Sequence, residues 1–115
     1  MNSKRLGAAV AVLAFALIAA GVGPAAKGPN PFHGKSLYKT TCKLCHGKGG
    51  EAKTLTPMSK TQAQWESFFA TRSQVCFKKA AGKTGKALSA EDVGDMKFFL
   101  VSHAADSDQP ETCGD

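Results

Sequence analysis

The run Cys42-Lys43-Leu44-Cys45-His46 places two thiols three residues apart and an imidazole directly behind the second. A Cys-x-x-Cys-His run is the attachment signature of a c-type haem. At that spacing Cys42 and Cys45 can meet the two vinyl groups along one edge of a porphyrin. His46 then turns beneath the ring and gives its imidazole nitrogen to iron as the proximal ligand. Three residues of fixed type at set spacing make the signal specific. Two rival chemistries use the same residues. A thioredoxin-like dithiol wants a βαβ setting, which the sequence lacks. Zinc could take Cys42, Cys45 and His46, but the adjacent pair is awkward for a tetrahedral site and no second Cys-x-x-Cys or His pair follows. One covalent haem c is the cofactor expected.

The remaining cysteines, Cys76 and Cys113, are an even pair expected to bridge, with two inert thiols as the alternative. A bridge would add about 3–4 kcal/mol on a chain-entropy estimate. No catalytic acid, base or nucleophile is arranged in the sequence, so no enzyme is expected.

Compartment and charge bear on what such a site would serve. Lys4 and Arg5 head an apolar run from Leu6 to Ala20, followed by small residues through Ala26. This is the layout of a secretory signal peptide and is short for a membrane span. Residues 1–26 are therefore expected to be removed by cleavage between 21 and 26, leaving residues 27–115 as one domain without stable membrane insertion. An uncleaved N-terminal anchor is the alternative. Export to the periplasm or beyond agrees with haem c assembly outside the bacterial cytoplasm and permits disulfides. A domain this small buries a modest core, and a covalent haem supplies a large apolar body for helices to pack on.

Beyond the leader the chain carries 13 basic and 9 acidic residues, unevenly placed. Residues 27–86 hold 12 basic and 2 acidic groups, whereas residues 87–115 hold 1 and 7. The basic part suits steering toward an acidic redox partner, with ordinary solvated lysines as the bland alternative. Nucleic-acid binding is not suggested, because the lysines lack interleaved aromatics.

The elements that must position the motif are all helical. Asn30 caps a helix that begins at Pro31 and runs through Leu37, Tyr38, Thr41 and Cys42, with the glycines at 47, 49 and 50 ending it. Gly34 and Tyr38, one turn apart, suit a close helix crossing, and His33 reads as a surface residue. Residues 47–58 read as an irregular loop. A second helix starts at Ser59 or Thr61 in capping-box style, carries the apolar stripe Trp65, Phe68 and Phe69, and reaches Cys76 near its end. Gly82 and Gly85 then break the chain. Ser89-Ala-Glu-Asp92 opens a third helix that runs to about His103, with Val93, Met96, Phe99 and Leu100 on one face. The polar, acidic tail has only Cys113 to hold it.

Taken together, Gly34-x-x-Leu37-Tyr38 ahead of Cys42-x-x-Cys45-His46-Gly47, and the closing stretch Leu88-Ser89-x-x-Asp92-Val93-x-x-Met96-x-x-Phe99-Leu100, resemble a small class I cytochrome c. The resemblance implies an all-α fold of three to four helices around one covalent haem, crossed first and last helices, and electron transfer at an exposed haem edge. It also implies a distal methionine just before the last helix, and residues 77–88 contain none. Four alternatives stand in its place. Met58 follows a proline in a loop, and its segment could extend about 40 Å from His46, enough to round the haem. His103 shares the apolar face of the last helix. Met96 occupies a position that is ordinarily core. Some related small cytochromes place the distal ligand just before a disulfide cysteine, where this chain has Val75. An apolar residue there would leave iron five-coordinate.

The function expected is that of an exported monohaem electron carrier exchanging single electrons with redox partner proteins. The alternatives are a haem-based sensor or binder of O2, NO or CO with an open distal iron site, and a zinc or disulfide-stapled interaction module.

Overall fold

A computed structural model describes residues 28–112 of the chain; the expected leader 1–26 and Cys113 lie outside the described residues. Five α-helices follow in order: α1 (Pro31–Thr41), the single turn α2 (Lys43–His46), α3 (Gln62–Thr71), α4 (Ser73–Thr84) and α5 (Ala90–Ser102). A 3-10 turn, Pro57–Ser59, precedes α3. The all-α class is as expected, and no strand occurs among the described residues.

Three of the four long helices start on side chains that accept from orphan backbone N–H groups. The Asn30 side chain accepts from Phe32 N at 3.0 Å and His33 N at 3.2 Å, with Pro31 in the first turn. Thr61 and Gln64 form a reciprocal capping box on α3, and Ser89 and Asp92 form another on α5. Glu91 and Asp92 also place negative charge at the positive end of the α5 dipole.

The expected second helix divides at Arg72. Its φ of −118° interrupts the helical path, and the Ser73 hydroxyl turns back to donate to Phe69 O at 3.0 Å. Cys76 therefore lies in the first turns of α4 rather than at the end of one long helix. Gly82 sits inside α4, and only Gly85, at φ 73°, terminates it. A left-handed φ there is open to glycine without a Cβ clash.

The core lies where α1 crosses α5, with α3 packed alongside α5. Gly34 makes the crossing close, because a Cβ at that position would stand 2.1 Å from Asp95 O and 3.0 Å from Phe99 Cβ. Tyr38, Trp65, Met96 and Leu100 are fully buried there, and Tyr38 packs on Phe99 with ring centroids 5.9 Å apart. The two crossing helices are also tied by charge. Asp95 accepts from Asn30 N at 2.8 Å and pairs with His33 Nδ1 at 2.7 Å. His33 is thus partly exposed but bonded to α5, more than the surface residue expected.

Among the described residues the tail is held by hydrogen bonds and an ion pair. Glu111 pairs with Lys35 and donates its N–H to His103 O at 3.1 Å, while Ala105 N donates to Lys60 O at 3.1 Å. Gln62 N donates to Asp106 Oδ1 at 2.7 Å, so the tail also braces the start of α3.

Candidate functional site

A cavity of about 630 Å³ opens between α2 with its following loop, α3 and α4. Cys42, Cys45 and His46 all line it, so the motif is brought to one wall of one space. Leu55, Trp65, Phe68 and Phe77 supply apolar surface from the loop, α3 and α4.

Two features of the chain orient this wall. Tyr38, from α1, donates its hydroxyl to Leu55 O, and Trp65 Nε1 donates to Pro57 O at 2.7 Å. Backbone bonds then fold the loop onto α2: Ala52 N to Cys45 O at 2.8 Å, and Leu55 N to His46 O at 3.0 Å. The irregular loop is thus fixed at its far end by two aromatic side chains from the core and along its length by backbone bonds to α2.

His46 Nδ1 lies 2.7 Å from Lys53 O. A carbonyl oxygen only accepts, so Nδ1 carries the proton and Nε2 keeps its lone pair. This is the tautomer a metal-ligating histidine takes when its other ring nitrogen donates to a backbone carbonyl. Sequence reasoning did not single out Lys53, because a backbone carbonyl leaves no side-chain signature.

The Cys42 thiol is pushed up to about 12, first by burial and then by the charges of Cys76 and Cys45. It stays protonated at neutral pH, the reverse of the depressed thiol that dithiol exchange or zinc ligation uses. Its Sγ stands 3.8 Å from Met96 Sδ in the core. Among the described residues no three His, Cys, Asp or Glu side chains gather as a metal-binding group. The donor set fits covalent haem instead: two thiols and an imidazole with its proton on Nδ1, on the wall of an apolar cavity.

The other expected ligands are not brought to this cavity. Met58 is exposed on the 3-10 turn, because the Trp65–Pro57 bond seats the proline inward and leaves the methionine facing out. His103 caps α5, with Nδ1 donating to Gln109 O at 2.7 Å and its ring 5.0 Å from Phe99. Met96 is core, as its position suggested. Val75 is exposed on α4. Cys76 lines the cavity as a free thiol, and its expected partner Cys113 lies outside the described residues.

One acid at the site went unremarked in the sequence. Glu51 accepts from Cys45 Sγ at 3.5 Å and pairs with Lys79 at 3.4 Å and with Lys83. Its carboxyl is held down to about 2, chiefly by hydrogen bonding from Lys83 and then from Cys45. The available signal was charge patterning, since Glu51 and Glu66 are the two acids in a basic stretch of sixty residues.

A family model described as cytochrome c oxidase, cbb3-type, subunit III matches residues 29–100, and the chain belongs to that family. It is a c-type cytochrome domain, of the kind that carries electrons on haem c. No curated protein and no solved structure matches the chain.

Proposed function

We propose that this c-type cytochrome domain works as an exported monohaem electron carrier, with Cys42 and Cys45 holding one haem c by thioether bonds and His46 as the proximal ligand. Haem c, when bound, supplies a one-electron iron couple. The chain's own residues do the rest. Lys53 O holds the His46 proton on Nδ1 and keeps Nε2 available. Trp65, Phe68 and Phe77 limit water in the cavity, which favours small reorganisation on electron transfer. The observation that carries the reading is the shared wall of Cys42, Cys45 and His46 with the tautomer of His46 already set.

Its partners in this reading are redox proteins, which the family's description as an oxidase subunit supports. The basic excess of residues 27–86 would favour an acidic docking surface, with an electron-transfer rate that falls as salt rises. A periplasmic or extracellular location follows from the leader-like residues 1–26. No helix among the described residues is long and apolar enough to cross a membrane.

A second reading is favoured by one specific observation. Apart from His46, no methionine or histidine lines the cavity among the described residues. An iron held there would keep an open distal position and bind a small neutral ligand such as CO, O2 or NO.

Absorption spectra of the purified, haem-loaded protein, oxidised and reduced, with and without CO, separate the two. A low-spin spectrum indifferent to CO supports the carrier; a high-spin spectrum that shifts with CO supports the open site. The pyridine haemochrome test bears on both, since a product without haem c overturns them together. Cys42→Ala and Cys45→Ala should each leave a single thioether, detected by mass and by the shifted haemochrome band. His46→Ala should leave a haem that has lost its native low-spin or high-spin signature.

A further inference from the structure

The wall formed by α4 is secured differently from the rest of the cavity. Core contacts of α4 run through Ser73 at its first turn, Phe77 and Ala80, with Phe77 facing Phe69 at 6.0 Å between ring centroids. Most of its other residues are exposed, and its extended packing is against α3. At one end it joins α3 through Arg72, whose φ is −118°, and at the other it ends on Gly85 at φ 73°. One end is thus a single residue between two helices and the other opens onto the non-helical residues 85–89, both the kind of place where a packed element can swing.

Against this thin packing stands the acid of the loop after His46. Glu51 reaches α4 at two sites one turn apart, Lys79 and Lys83, and reaches the attachment motif at Cys45. Lys79 and Lys83 occupy i and i+4 positions, so a single carboxylate can take both from one helix face. Lys79 itself lines the cavity. The backbone beneath Glu51 is fixed, because Gly50 N donates to Gly47 O at 3.0 Å and Ala52 N to Cys45 O at 2.8 Å. The fixed part is thus the loop on α2, and the part free to move is α4.

We propose that Glu51, Lys79 and Lys83 form an ionic clasp that closes α4 over the cavity and gates entry of small molecules to it. The consequence for entry rests on the open-site reading, whereas the clasp itself does not. Opening separates two exposed ion pairs and slides Phe77 off Phe69, and it leaves the α1–α5 crossing untouched. Salt weakens the clasp by screening, since both pairs are exposed. The gate is therefore tighter at low ionic strength.

The test uses the haem-loaded protein and two readouts. Hydrogen exchange of backbone amides, followed by mass spectrometry, reports opening of α4 directly. Glu51→Gln should speed exchange in residues 73–84 about two- to fivefold, the range expected for loss of two exposed ion pairs, with α1 and α5 unchanged. The Lys79→Gln, Lys83→Gln double variant should do the same. Stopped-flow binding of CO to the ferrous protein should rise by a similar factor in Glu51→Gln, and should lose the salt dependence seen in the wild type. Exchange in residues 73–84 that is equal in Glu51→Gln and wild type would overturn the clasp. If neither protein binds CO, the open-site reading fails alone, and the exchange result still decides the clasp.

Discussion

Replacing Gly34 by alanine tests the crossing on which every cavity wall depends. A methyl group at that position would stand 2.1 Å from Asp95 O, 2.6 Å from Asp95 C and 3.0 Å from Phe99 Cβ. Carbon and oxygen settle at about 3.3 Å or more. The two helices would have to part by roughly 1 Å, and the obstacle is backbone rather than the end of a flexible side chain. Tyr38, Phe99 and Leu100 meet at that crossing with almost no exposure, so parting it loosens the core. Overpacking of this kind costs about 3 kcal/mol at the top of its usual range. Alanine returns about 1 kcal/mol of helix propensity, which leaves a net loss of about 2 kcal/mol. In a domain of this size that is a fall of about 8–16 °C in Tm.

Urea unfolding of the haem-loaded protein, followed by haem absorbance and far-UV dichroism, measures this directly. Gly94→Ala is the control. It lies on α5, the same partner helix, and a Cβ there meets nothing within 4 Å. It should raise stability by about 0.5–1 kcal/mol through propensity alone. Opposite signs for the two substitutions are the signature of a steric crossing. Gly34→Ala at or above the wild-type midpoint, or the two variants moving together, would refute the reasoning.

Trp65→Phe removes the donor that Pro57 O uses at 2.7 Å and leaves a buried carbonyl unpaired. The expected loss is about 1–3 kcal/mol in the same urea assay, and a change under about 0.5 kcal/mol would show that the bond does not hold the loop. Acid stability should depend on Asp95, whose carboxyl is held below its ordinary value of 3.8, first by the Asn30 N–H and then by His33. The folded state therefore resists protonation that the unfolded state accepts. Stabilisation is complete above 3.8 and is lost as pH falls through the lower folded value. Asp95→Asn should flatten part of the stability loss below pH 3.8, with Glu51 retaining its own share, and an unchanged acid limb would sink the assignment.

Legibility followed the range of the interactions. The Cys42–Cys45–His46 run, the caps at Asn30, Thr61 and Ser89, and the end of the last helix at His103 are all local, and each was readable from residues within one turn of its place. The close approach at Gly34 was readable because a glycine one turn before an aromatic has few other uses on a buried helix face. What escaped was set by contacts between elements. No glycine or proline marks the break at Arg72; there Ser73 bonds back to the Phe69 carbonyl while Phe77 folds onto the Phe69 ring. Beyond that break Cys76 and Lys79 line the cavity.

The distal side shows the same division at its sharpest. Met58 qualifies on reach and on chemistry, since a thioether twelve residues after His46 has chain enough to round the ring. Reach is an upper bound, though, and orientation is fixed elsewhere: the indole of Trp65 captures the carbonyl just before Met58 and turns the sulfur outward. His103 qualifies on helix face, yet it does not line the cavity and its ring packs on Phe99, 5.0 Å away. In both cases placement is decided by how the residue's segment packs, which a local pattern does not show. The proximal side needs no such arbitration, because its three groups are bound into five consecutive residues and their bonds run within one loop. A distal position drawn from another element must instead survive the packing of that element, and neither Met58 nor His103 is carried by its own segment to the cavity.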